Sequence, residues 1–205
     1  MTKNTRVIVL GTHNRKKGRE LSELFAPWNL EIKTLADFTD PLNVVEDGQT
    51  FAENAQRKAC RQAVHLGAWV LGEDSGLAVD ALSGSPGVYS ARYAGPQATD
   101  ASNIDRLLKE LSGVPADQRW AHYVCHATLA DPHGAVRAET EAYCHGRIAD
   151  APRGTAGFGY DPVFEIVEYH RTFGELGDAV KALLSHRGRA VRGLLSQLRR
   201  FVHQF

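Results

Sequence analysis

The sequence predicts an α/β fold, a mixed twisted sheet flanked by helices, and three observations support that prediction. Val7-Ile8-Val9-Leu10 is apolar and mostly β-branched, which is typical of a strand buried on both faces. A short polar loop and a helical pattern follow it, so strand and helix alternate as in α/β proteins. Two longer segments, 120–130 and 135–144, flank the turn Asp131-Pro132-His133-Gly134 and predict a β-hairpin.

Local signals bound the other elements of the first half of the chain. Pro27 ends the first helix. Thr50, followed three residues later by Glu53, forms a capping box that begins the second helix, and Gly67 ends it. Residues 68–71 are the next predicted strand, which ends at a glycine-flanked acidic segment. One face of the second helix is kept small by Ala52, Ala55, Ala59 and Ala63.

The second half continues the alternation of helices and strands. Thr99 is predicted to cap a third helix, which carries Ile104, Leu107, Leu108 and Leu111. The remaining predicted elements are loops at 83–96 and 147–162, a short strand at 163–166, and helices at 174–184 and 189–202 separated by residues 185–188.

Size and composition fit one globular domain and exclude several classes of protein. The 205 residues carry 24 basic and 24 acidic side chains, so a formal net charge of +0 gives no reason to expect avid nucleic-acid binding. A hydrophobic fraction of 43% argues against wholesale disorder, and the apolar runs are too short to span a bilayer. We therefore expect a single domain over residues 1–205, without a nucleic-acid or membrane partner.

The cysteines and the start of the chain predict a cytoplasmic protein. Cys60, Cys125 and Cys144 are odd in number and widely spaced, as expected for reduced thiols rather than a disulfide framework. No cationic start followed by a long apolar stretch marks a signal peptide. Zinc is disfavoured, because Cys125-His126 and Cys144-His145 would point neighbouring side chains to opposite faces of a strand.

The loop Gly11-Thr12-His13-Asn14-Arg15-Lys16-Lys17 is the first candidate site. A turn from strand to helix exposes backbone N–H groups and the positive end of the helix dipole, and both attract phosphate. The loop lacks the glycine and hydroxyl residues that flank the lysine of a Walker A motif. An ordinary capped helix with solvated lysines is the alternative interpretation.

The acidic segment Gly72-Glu73-Asp74-Ser75-Gly76 is the second candidate. Carboxylate oxygens suit Mg²⁺, which is commonly shared with substrate phosphates. Adjacent residues of an extended chain point to opposite faces, so Glu73 and Asp74 are expected to have different partners. One could hold metal while the other orients water. A solvated turn capped by Asp74 is the alternative.

The second helix and the segment before it supply further candidates. Glu46 precedes the helix and could be another metal ligand. Lys58 lies seven residues after Phe51, on the mainly buried face of the helix, and must either snorkel to solvent or meet a negative partner.

Two segments near the C-terminal end could bind a flat, carbonyl-bearing ligand. Gly157-Phe158-Gly159-Tyr160-Asp161-Pro162 combines glycines, which allow close backbone approach, with aromatic faces on which a base could stack. A tight turn with its aromatics in the core is the alternative. Lys181 and Ser185-His186-Arg187-Gly188-Arg189 gather hydrogen-bond donors at a helix junction. A solvated basic helix end would explain the second group equally well.

Taken together, these segments resemble the inosine triphosphate pyrophosphatase family. The resemblance covers roughly residues 6–200, and six motifs occur in the family's order. They are Thr12-His13-Asn14 with Lys17, Glu46-Asp47-Gly48-Gln49-Thr50-Phe51-Ala52-Glu53-Asn54-Ala55, Asp74-Ser75-Gly76-Leu77, Ser85-Pro86-Gly87-Val88-Tyr89-Ser90-Ala91-Arg92-Tyr93, Gly159-Tyr160-Asp161-Pro162 and Ser185-His186-Arg187-Gly188.

The resemblance implies two lobes around a central cleft, usually in a homodimer, and Mg²⁺-dependent hydrolysis of ITP, dITP and XTP to the monophosphate and pyrophosphate. Asp74 would be the general base and a metal-associated carboxylate, and Glu46 a Mg²⁺ ligand. The implied substrate-binding residues are Thr12, Asn14, Lys17 and Lys58 for the phosphates, Ser75, and Phe158, Gly159, Tyr160, Asp161, Lys181, His186 and Arg187 around the purine.

Two departures and two alternatives accompany the resemblance. Many relatives carry aspartate where this chain has Glu73, whose carboxylate is one methylene longer, which bears on metal geometry there. Relatives often have glycine where this chain has His13, which could crowd the phosphate loop. A related enzyme acting on modified pyrimidines or standard triphosphates, and a non-catalytic nucleotide sensor, are the competing functions.

Overall fold

The computed structural model describes residues 7–28 and 30–198, and within them the strands form one seven-stranded mixed sheet. Strand β1 pairs in parallel with β2 and β3, whereas β5–β6 and β6–β7 are antiparallel. The predicted α/β fold with a mixed sheet is confirmed. The strands are β1 (Val7–Leu10), β2 (Glu31–Thr34), β3 (Val70–Val79), β4 (Trp120–Ala130), β5 (Val136–Ile148), β6 (Phe164–Ile166) and β7 (Arg171–Thr172), in the order β2-β1-β3-β4-β5-β6-β7.

The helices begin at polar caps, as the sequence predicts. Asn14 caps α1, Thr50 caps α2, and Thr99 caps α3, each accepting backbone N–H groups through its side chain. Gly67 ends α2 in the left-handed conformation, at φ 58°. The helices in the described ranges are α1 (Arg15–Phe25), α2 (Phe51–Leu66), α3 (Asp100–Glu110), α4 (Phe173–Leu184) and α5 (His186–Leu198). In that part of the chain, no helix is both long and apolar enough to traverse a bilayer.

The chain divides into two compact units, each with its own hydrophobic core. Unit 1 contains the described residues up to Asp74, Cys125–Ala142, and those from Arg187 onward; unit 2 contains Ser75–Val124 and Tyr143–His186. The core of unit 1 includes Ile8, Leu21, Phe25, Leu71, Leu129 and Leu194, and that of unit 2 includes Leu77, Leu107, Tyr123, Phe164 and Phe173. The single domain over 1–205 and the cleft stay predictions.

A contact between α2 and β3 places the helix on the sheet in unit 1. A Cβ added at Gly72 would lie 2.2 Å from the Ala55 carbonyl oxygen and 2.6 Å from the Ala59 nitrogen. Only a glycine on the strand and small residues on the helix allow so close an approach. The alanine face of α2 therefore lies directly against β3 at Gly72, the residue before Glu73.

The predicted end of this strand at residue 71 is wrong, and so is the alternative of a solvated turn capped by Asp74, because β3 continues through the acidic segment. The strand runs from Val70 to Val79 through Glu73 and Asp74, which are interior residues with 2% and 6% exposure. Charged residues in a buried strand contradict the hydrophobic pattern used to end it. They are tolerated because cationic side chains from neighbouring elements pair with both carboxylates.

Other boundaries shift for local reasons. Helix α5 begins at His186, so Ser185 alone separates it from α4, where a four-residue separation was predicted. Strand β5 continues to Ile148, and the predicted loop 83–96 contains a 3₁₀ turn, Gly87–Arg92. The short strands β2 and β7 were not predicted. The last residues of the predicted helix 189–202, from 199 onward, lie outside the described residues.

Candidate active site

The acidic strand β3 and the start of α1 meet because β1 and β3 are parallel neighbours in unit 1. Leu10 pairs with Leu71, and the Gly11 N–H donates to the Leu71 carbonyl over 2.8 Å. The loop after β1 therefore begins beside the strand that carries Glu73. As a result the Lys17 ammonium on α1 lies 3.0 Å from Glu73 Oε2.

The residues that lead into α1 form a cap whose polar groups already bond to one another. Asn14 Oδ1 accepts the N–H groups of Lys16 and Lys17 over 3.0 and 3.1 Å, and Thr12 Oγ1 accepts the Asn14 N–H over 3.1 Å. Thr12, Asn14 and Lys17 are thus adjacent, as the phosphate-loop interpretation requires. His13, where relatives often have glycine, has its ring Nε2 3.3 Å from the Leu42 carbonyl oxygen.

Asp74 is a buried carboxylate held by two side chains of α2. The Lys58 ammonium lies 2.9 Å from its Oδ1, and the Asn54 amide donates to its Oδ2 over 3.2 Å. Asn54 and Lys58 lie one helical turn apart, on the edge of the face that contacts Gly72. Burial raises the pKa of Asp74 above its ordinary value and outweighs the opposing effects of Lys58 and Lys17.

Lys58 also holds Glu46, so two carboxylates converge on one ammonium. Glu46 Oε2 lies 3.0 Å from Lys58 Nζ. Burial alone would raise the pKa of Glu46, but Lys58 lowers it on balance. Burial would likewise lower the pKa of Lys58, yet Asp74, Glu46 and Glu73 raise it, so the lysine stays protonated. Two arrangements were predicted for Lys58, snorkelling to solvent or pairing with a negative group, and the structure shows the second.

This pair of carboxylates fits a divalent ion of the kind that prefers oxygen ligands. Glu46 and Asp74 already surround a cationic group from two sides, and both offer carboxylate oxygens. Within the described ranges, no three His, Cys, Asp or Glu side chains gather as a metal site. A site with two protein carboxylates suits Mg²⁺, which keeps several waters and shares substrate phosphates.

Glu73 faces a different set of groups from its neighbour Asp74, as alternation along a strand requires. Its Oε1 accepts the Nε and Nη2 hydrogens of Arg187 over 3.2 and 3.1 Å. The Cys125 thiol donates to the same oxygen over 3.4 Å. Burial, followed by the charge of Glu73, raises the pKa of Cys125 well above its ordinary value, so the sulfur keeps its proton.

In unit 2, the glycine-rich loop gathers an aspartate, a lysine and an aromatic ring. Asp161 Oδ2 accepts the backbone N–H of Phe158 over 2.8 Å and lies 2.6 Å from the Lys181 ammonium. That ammonium lies 4.3 Å from the centre of the Phe158 ring. A Cβ at Gly157 would lie 2.1 Å from Asp161 Oδ2, so glycine is required there. Phe158, Asp161 and Lys181 are therefore brought together.

Of the other predicted residues of unit 2, Tyr160 and His186 are buried, whereas Gly159 and Ser75 are half-buried. The Tyr160 hydroxyl donates to the Ser90 carbonyl over 2.8 Å, and its side chain packs in the core. The His186 ring stacks on Tyr123 at 4.5 Å and 11°. Gly159 adopts the left-handed conformation, at φ 60°, between the two aromatic residues of the loop. Ser75 is the first residue of unit 2 and is half-buried on β3.

The sequence of the whole region matches a known family. The family profile described as the Ham1 family matches residues 8–197. The chain belongs to the Ham1 family. It is 53% identical over 195 residues to a dITP/XTP pyrophosphatase of Rhodopirellula baltica, covering 95% of this chain and 94% of that protein. It is 50% identical over 190 residues to the dITP/XTP pyrophosphatase of Geobacillus kaustophilus, covering 93% of each.

Solved structures of Ham1 proteins share the fold. A HAM1 protein from Coxiella burnetii superposes with a TM-score of 0.86 at 36% identity, covering 96% of this chain and all of the other. A nucleoside-triphosphatase / dITP/XTP pyrophosphatase from Mycobacterium abscessus gives a TM-score of 0.74 at 39% identity, covering 94% and 99%. The resemblance inferred from six motifs is therefore confirmed as family membership.

Sequence reasoning missed three side chains that the Ham1 chain uses to hold its charged groups. Asn54 bonds both to Asp74 and to the Gly48 N–H, over 2.8 Å in the latter case. Glu20 accepts from Arg187, and Cys125 donates to Glu73. Asn54 carried a signal, since it is a polar residue beside the alanine face of α2. Glu20 and Cys125 carried none, because their role depends on tertiary contacts.

Proposed function

We propose that the protein is a nucleoside triphosphate pyrophosphatase, which hydrolyses the non-standard purine nucleotides ITP, dITP and XTP to the monophosphate and pyrophosphate. The observation that carries this proposal is the buried Asp74, which shares the Lys58 ammonium with Glu46 beside the Lys17–Glu73 pair. A cluster of carboxylates and lysine ammonium groups suits a polyphosphate and the cation that accompanies it. The family membership and the names of the relatives agree with it.

Asp74 is the proposed general base. Burial raises its pKa, against the opposing effects of Lys58 and Lys17, and this makes it a stronger base than an ordinary aspartate. Asn54 fixes one oxygen, which leaves the orientation of the carboxylate defined when Lys58 turns to the substrate. Asp74 can then take the proton of the water that attacks the phosphoryl group, and pyrophosphate leaves.

Lys17 and Lys58 are the proposed phosphate ligands, together with Thr12 and Asn14. A triphosphate brings several negative charges, which these ammonium groups offset in a site with few waters. Glu46 and Asp74 are the proposed holders of Mg²⁺, which supplies charge neutralisation for the leaving pyrophosphate. Both lysines are bound to carboxylates in the nucleotide-free chain, so they exchange one set of anionic oxygens for another.

Unit 2 supplies the proposed recognition of the purine. Phe158 offers a ring on which the base stacks, and Lys181 is a donor that can bond to a 6-oxo group. Asp161 holds Lys181 and the Phe158 backbone in one arrangement. A donor aimed at a carbonyl faces another donor when a 6-amino purine enters, and such mismatches reach ~10⁴–10⁵-fold discrimination.

We also propose a homodimer in the cytoplasm. The homodimer rests on the family resemblance alone. The location is supported by the cysteines Cys60, Cys125 and Cys144, all of which lie in the described ranges and are thiols rather than disulfides.

A panel of nucleotides tests the proposal. Release of pyrophosphate and of phosphate is measured with ITP, dITP, XTP, ATP, GTP and dTTP, with and without Mg²⁺. We expect pyrophosphate from the first three only, and only with Mg²⁺. Equal turnover of ATP and ITP would instead favour an enzyme for standard triphosphates, and stepwise phosphate release would overturn the reaction type. Binding of ITP without any turnover would favour a nucleotide sensor.

A further inference from the structure

The motif at residues 85–93 has no role in the proposed function. Most of it forms the 3₁₀ turn Gly87–Arg92 of unit 2, in which Ser90 is buried. The Ser90 hydroxyl accepts the Leu77 N–H over 2.9 Å and donates to the Gly87 carbonyl over 2.6 Å. The Ser90 side chain therefore joins the turn to strand β3, and the backbone carbonyl of the same residue is available to other donors.

Two buried side chains donate to that carbonyl oxygen, one from α3 and one from the loop at residues 157–162. The Asn103 amide on α3 donates to the Ser90 and Ala91 carbonyls over 3.3 Å each, and its Oδ1 accepts the Ala94 N–H over 2.7 Å. The Tyr160 hydroxyl donates to the same Ser90 oxygen over 2.8 Å. A carbonyl oxygen has two lone pairs, so it can accept from both. The oxygen thus links α3 to the glycine-rich loop.

The hydroxyl of Tyr160 fixes the position of the loop on its core side. A buried hydroxyl without a hydrogen bond is costly, so the ring is held where the Ser90 oxygen lies. Burial raises the pKa of Tyr160 above its ordinary value, so the hydroxyl keeps its proton and stays a donor. Asp161 follows directly, and its carboxylate holds the Phe158 N–H and the Lys181 ammonium over 2.8 and 2.6 Å. A shift of the tyrosine would therefore displace the carboxylate that arranges both groups.

We propose that Asn103 is a positioning residue for purine recognition, which acts through the Ser90 carbonyl and the Tyr160 hydroxyl. The inference rests on the proposed function, in which Phe158 stacks on the base and Lys181 donates to its 6-oxo group. The role that the family resemblance implies for Tyr160 is unchanged, and the bond to Ser90 adds a support behind it. The motif at residues 85–93 supplies the oxygen of that support.

IMP and AMP, the monophosphates that correspond to ITP and ATP, are the probes, because they differ at the 6-oxo or 6-amino position of the purine. Their affinities are measured by calorimetry in Mg²⁺ buffer, below the Tm of every variant. We expect the ratio of IMP to AMP affinity to fall about fivefold in Tyr160→Phe, as for loss of one buried hydrogen bond, and about threefold in Asn103→Ala. The affinity for inorganic pyrophosphate, which has no base, should stay at the wild-type value.

The double variant tests whether the two residues act through one oxygen. Asn103 loses its influence on the loop once the Tyr160 hydroxyl is absent, so Tyr160→Phe combined with Asn103→Ala should show the ratio of Tyr160→Phe alone. Should Asn103→Ala melt below the assay temperature, Asn103→Asp replaces it. That variant keeps the shape and the acceptor for the Ala94 N–H but loses the donors, and we expect a fall at least as large.

Tyr93→Phe is the matched control. Tyr93 is another buried tyrosine of the unit 2 core, and its hydroxyl donates to Glu110 on α3 and not to the Ser90 carbonyl. Loss of this hydroxyl should lower Tm and leave the ratio of IMP to AMP affinity at the wild-type value. The control separates loss of a hydrogen bond in the core from loss of the link to the loop.

Three results would overturn the proposal. One is an unchanged ratio in both folded single variants. Another is a ratio that falls in Tyr160→Phe but not in the Asn103 variant, as expected if the hydroxyl acted on the nucleotide directly. The third is additive falls in the double variant. Because binding of a monophosphate requires no turnover, a wild type that binds IMP but fails to hydrolyse ITP would contradict the proposed function and leave this test intact.

Discussion

The two units hold their candidate residues on different kinds of structure. In unit 1, the charged side chains project from the interior of strand β3 and from helices α1 and α2, and most are tied by ion pairs. In unit 2, Phe158 and Asp161 lie in a loop that contains two glycines at positive φ, Gly157 and Gly159. Regular elements hold the groups that are proposed to bind phosphate, and a loop holds Phe158 and Asp161, which are proposed to lie at the base.

The proposed roles of the two sets of residues account for this difference. Every nucleoside triphosphate carries the same phosphates, so the residues that bind them can be fixed in regular structure. Bases differ in a few polar atoms, and loops are where proteins vary such contacts. Two buried carboxylates, both on strands, also differ between the units. Burial raises the pKa of Asp74 in unit 1, whereas Arg153 and Arg147 outweigh burial and lower the pKa of Glu165 in unit 2.

The largest expected effect comes from removing the proposed base in unit 1. Asp74→Asn should lower kcat for ITP by ~10²–10⁴-fold, because the amide cannot accept the proton of water. Binding of ITP should persist, since Lys17, Lys58 and the residues of unit 2 remain. Rapid-quench assays give kcat, and calorimetry with the variant gives the affinity.

The matched control is Asp117→Asn, which changes an exposed aspartate of unit 2 in the same way. It should keep the activity of the wild type. An Asp74→Asn variant with full turnover would show that another group deprotonates the water.

The next largest effect tests the contrast between the two units, because it concerns binding of the base and not of the phosphates. Phe158→Ala should raise KM for ITP by ~10–100-fold, in line with the ~1–3 kcal/mol of stacking per base. The affinity for inorganic pyrophosphate should stay at the wild-type value. Calorimetry with pyrophosphate and steady-state kinetics with ITP measure the two quantities.

Tyr169→Ala is the control for the loss of an aromatic side chain, since Tyr169 is 52% exposed in the same unit. Its KM should be unchanged. If Phe158→Ala weakened pyrophosphate binding as much as ITP binding, the assignment of phosphate to unit 1 and base to unit 2 would fail.

The smallest effect is on stability and its pH dependence. Glu165 has a folded-state pKa below its ordinary value of 4.5, so its ion pairs contribute stability above that pH and lose it as pH falls through the lower value. Glu165→Gln should lower Tm by a few degrees at neutral pH, with the two melting curves converging in acid. The arginines are partly exposed, so we expect ~1–2 kcal/mol.

Differential scanning calorimetry from neutral to acid pH measures this prediction, with Glu168→Gln as the control at an exposed position nearby. A Tm gap between Glu165→Gln and the wild type that widened on acidification would contradict a lowered pKa for Glu165.

Much of the fold could be predicted because its signals are local. The β-branched run at Val7–Leu10, the caps Thr50 and Thr99, and Gly67 each act within a few residues. The position of Lys58 on a mainly buried helix face also followed from local spacing, although its negative partners did not. The order of the six motifs along the chain predicted the family.

The rest depended on contacts that are distant along the chain. Nothing near Asp74 in sequence indicates that β3 continues to Val79, because the strand is stabilised by cations from α1, α2 and α5. Arg187 pairs with Glu73 across 114 residues, and a pattern of local hydrophobicity cannot reveal such a partner. Strand β2 is short and half-exposed, and strand β7 is two residues long. The hydrophobic periodicity of both is therefore weak.

Lys58 is a counter-ion for Glu46 and Asp74 that belongs to the chain itself. Without Lys58, the carboxylates of Glu46 and Asp74 would repel each other. A dissolved cation would then be needed to keep them together. In this chain the cation is covalently part of α2. The repulsion between the two carboxylates is therefore offset by the polypeptide itself.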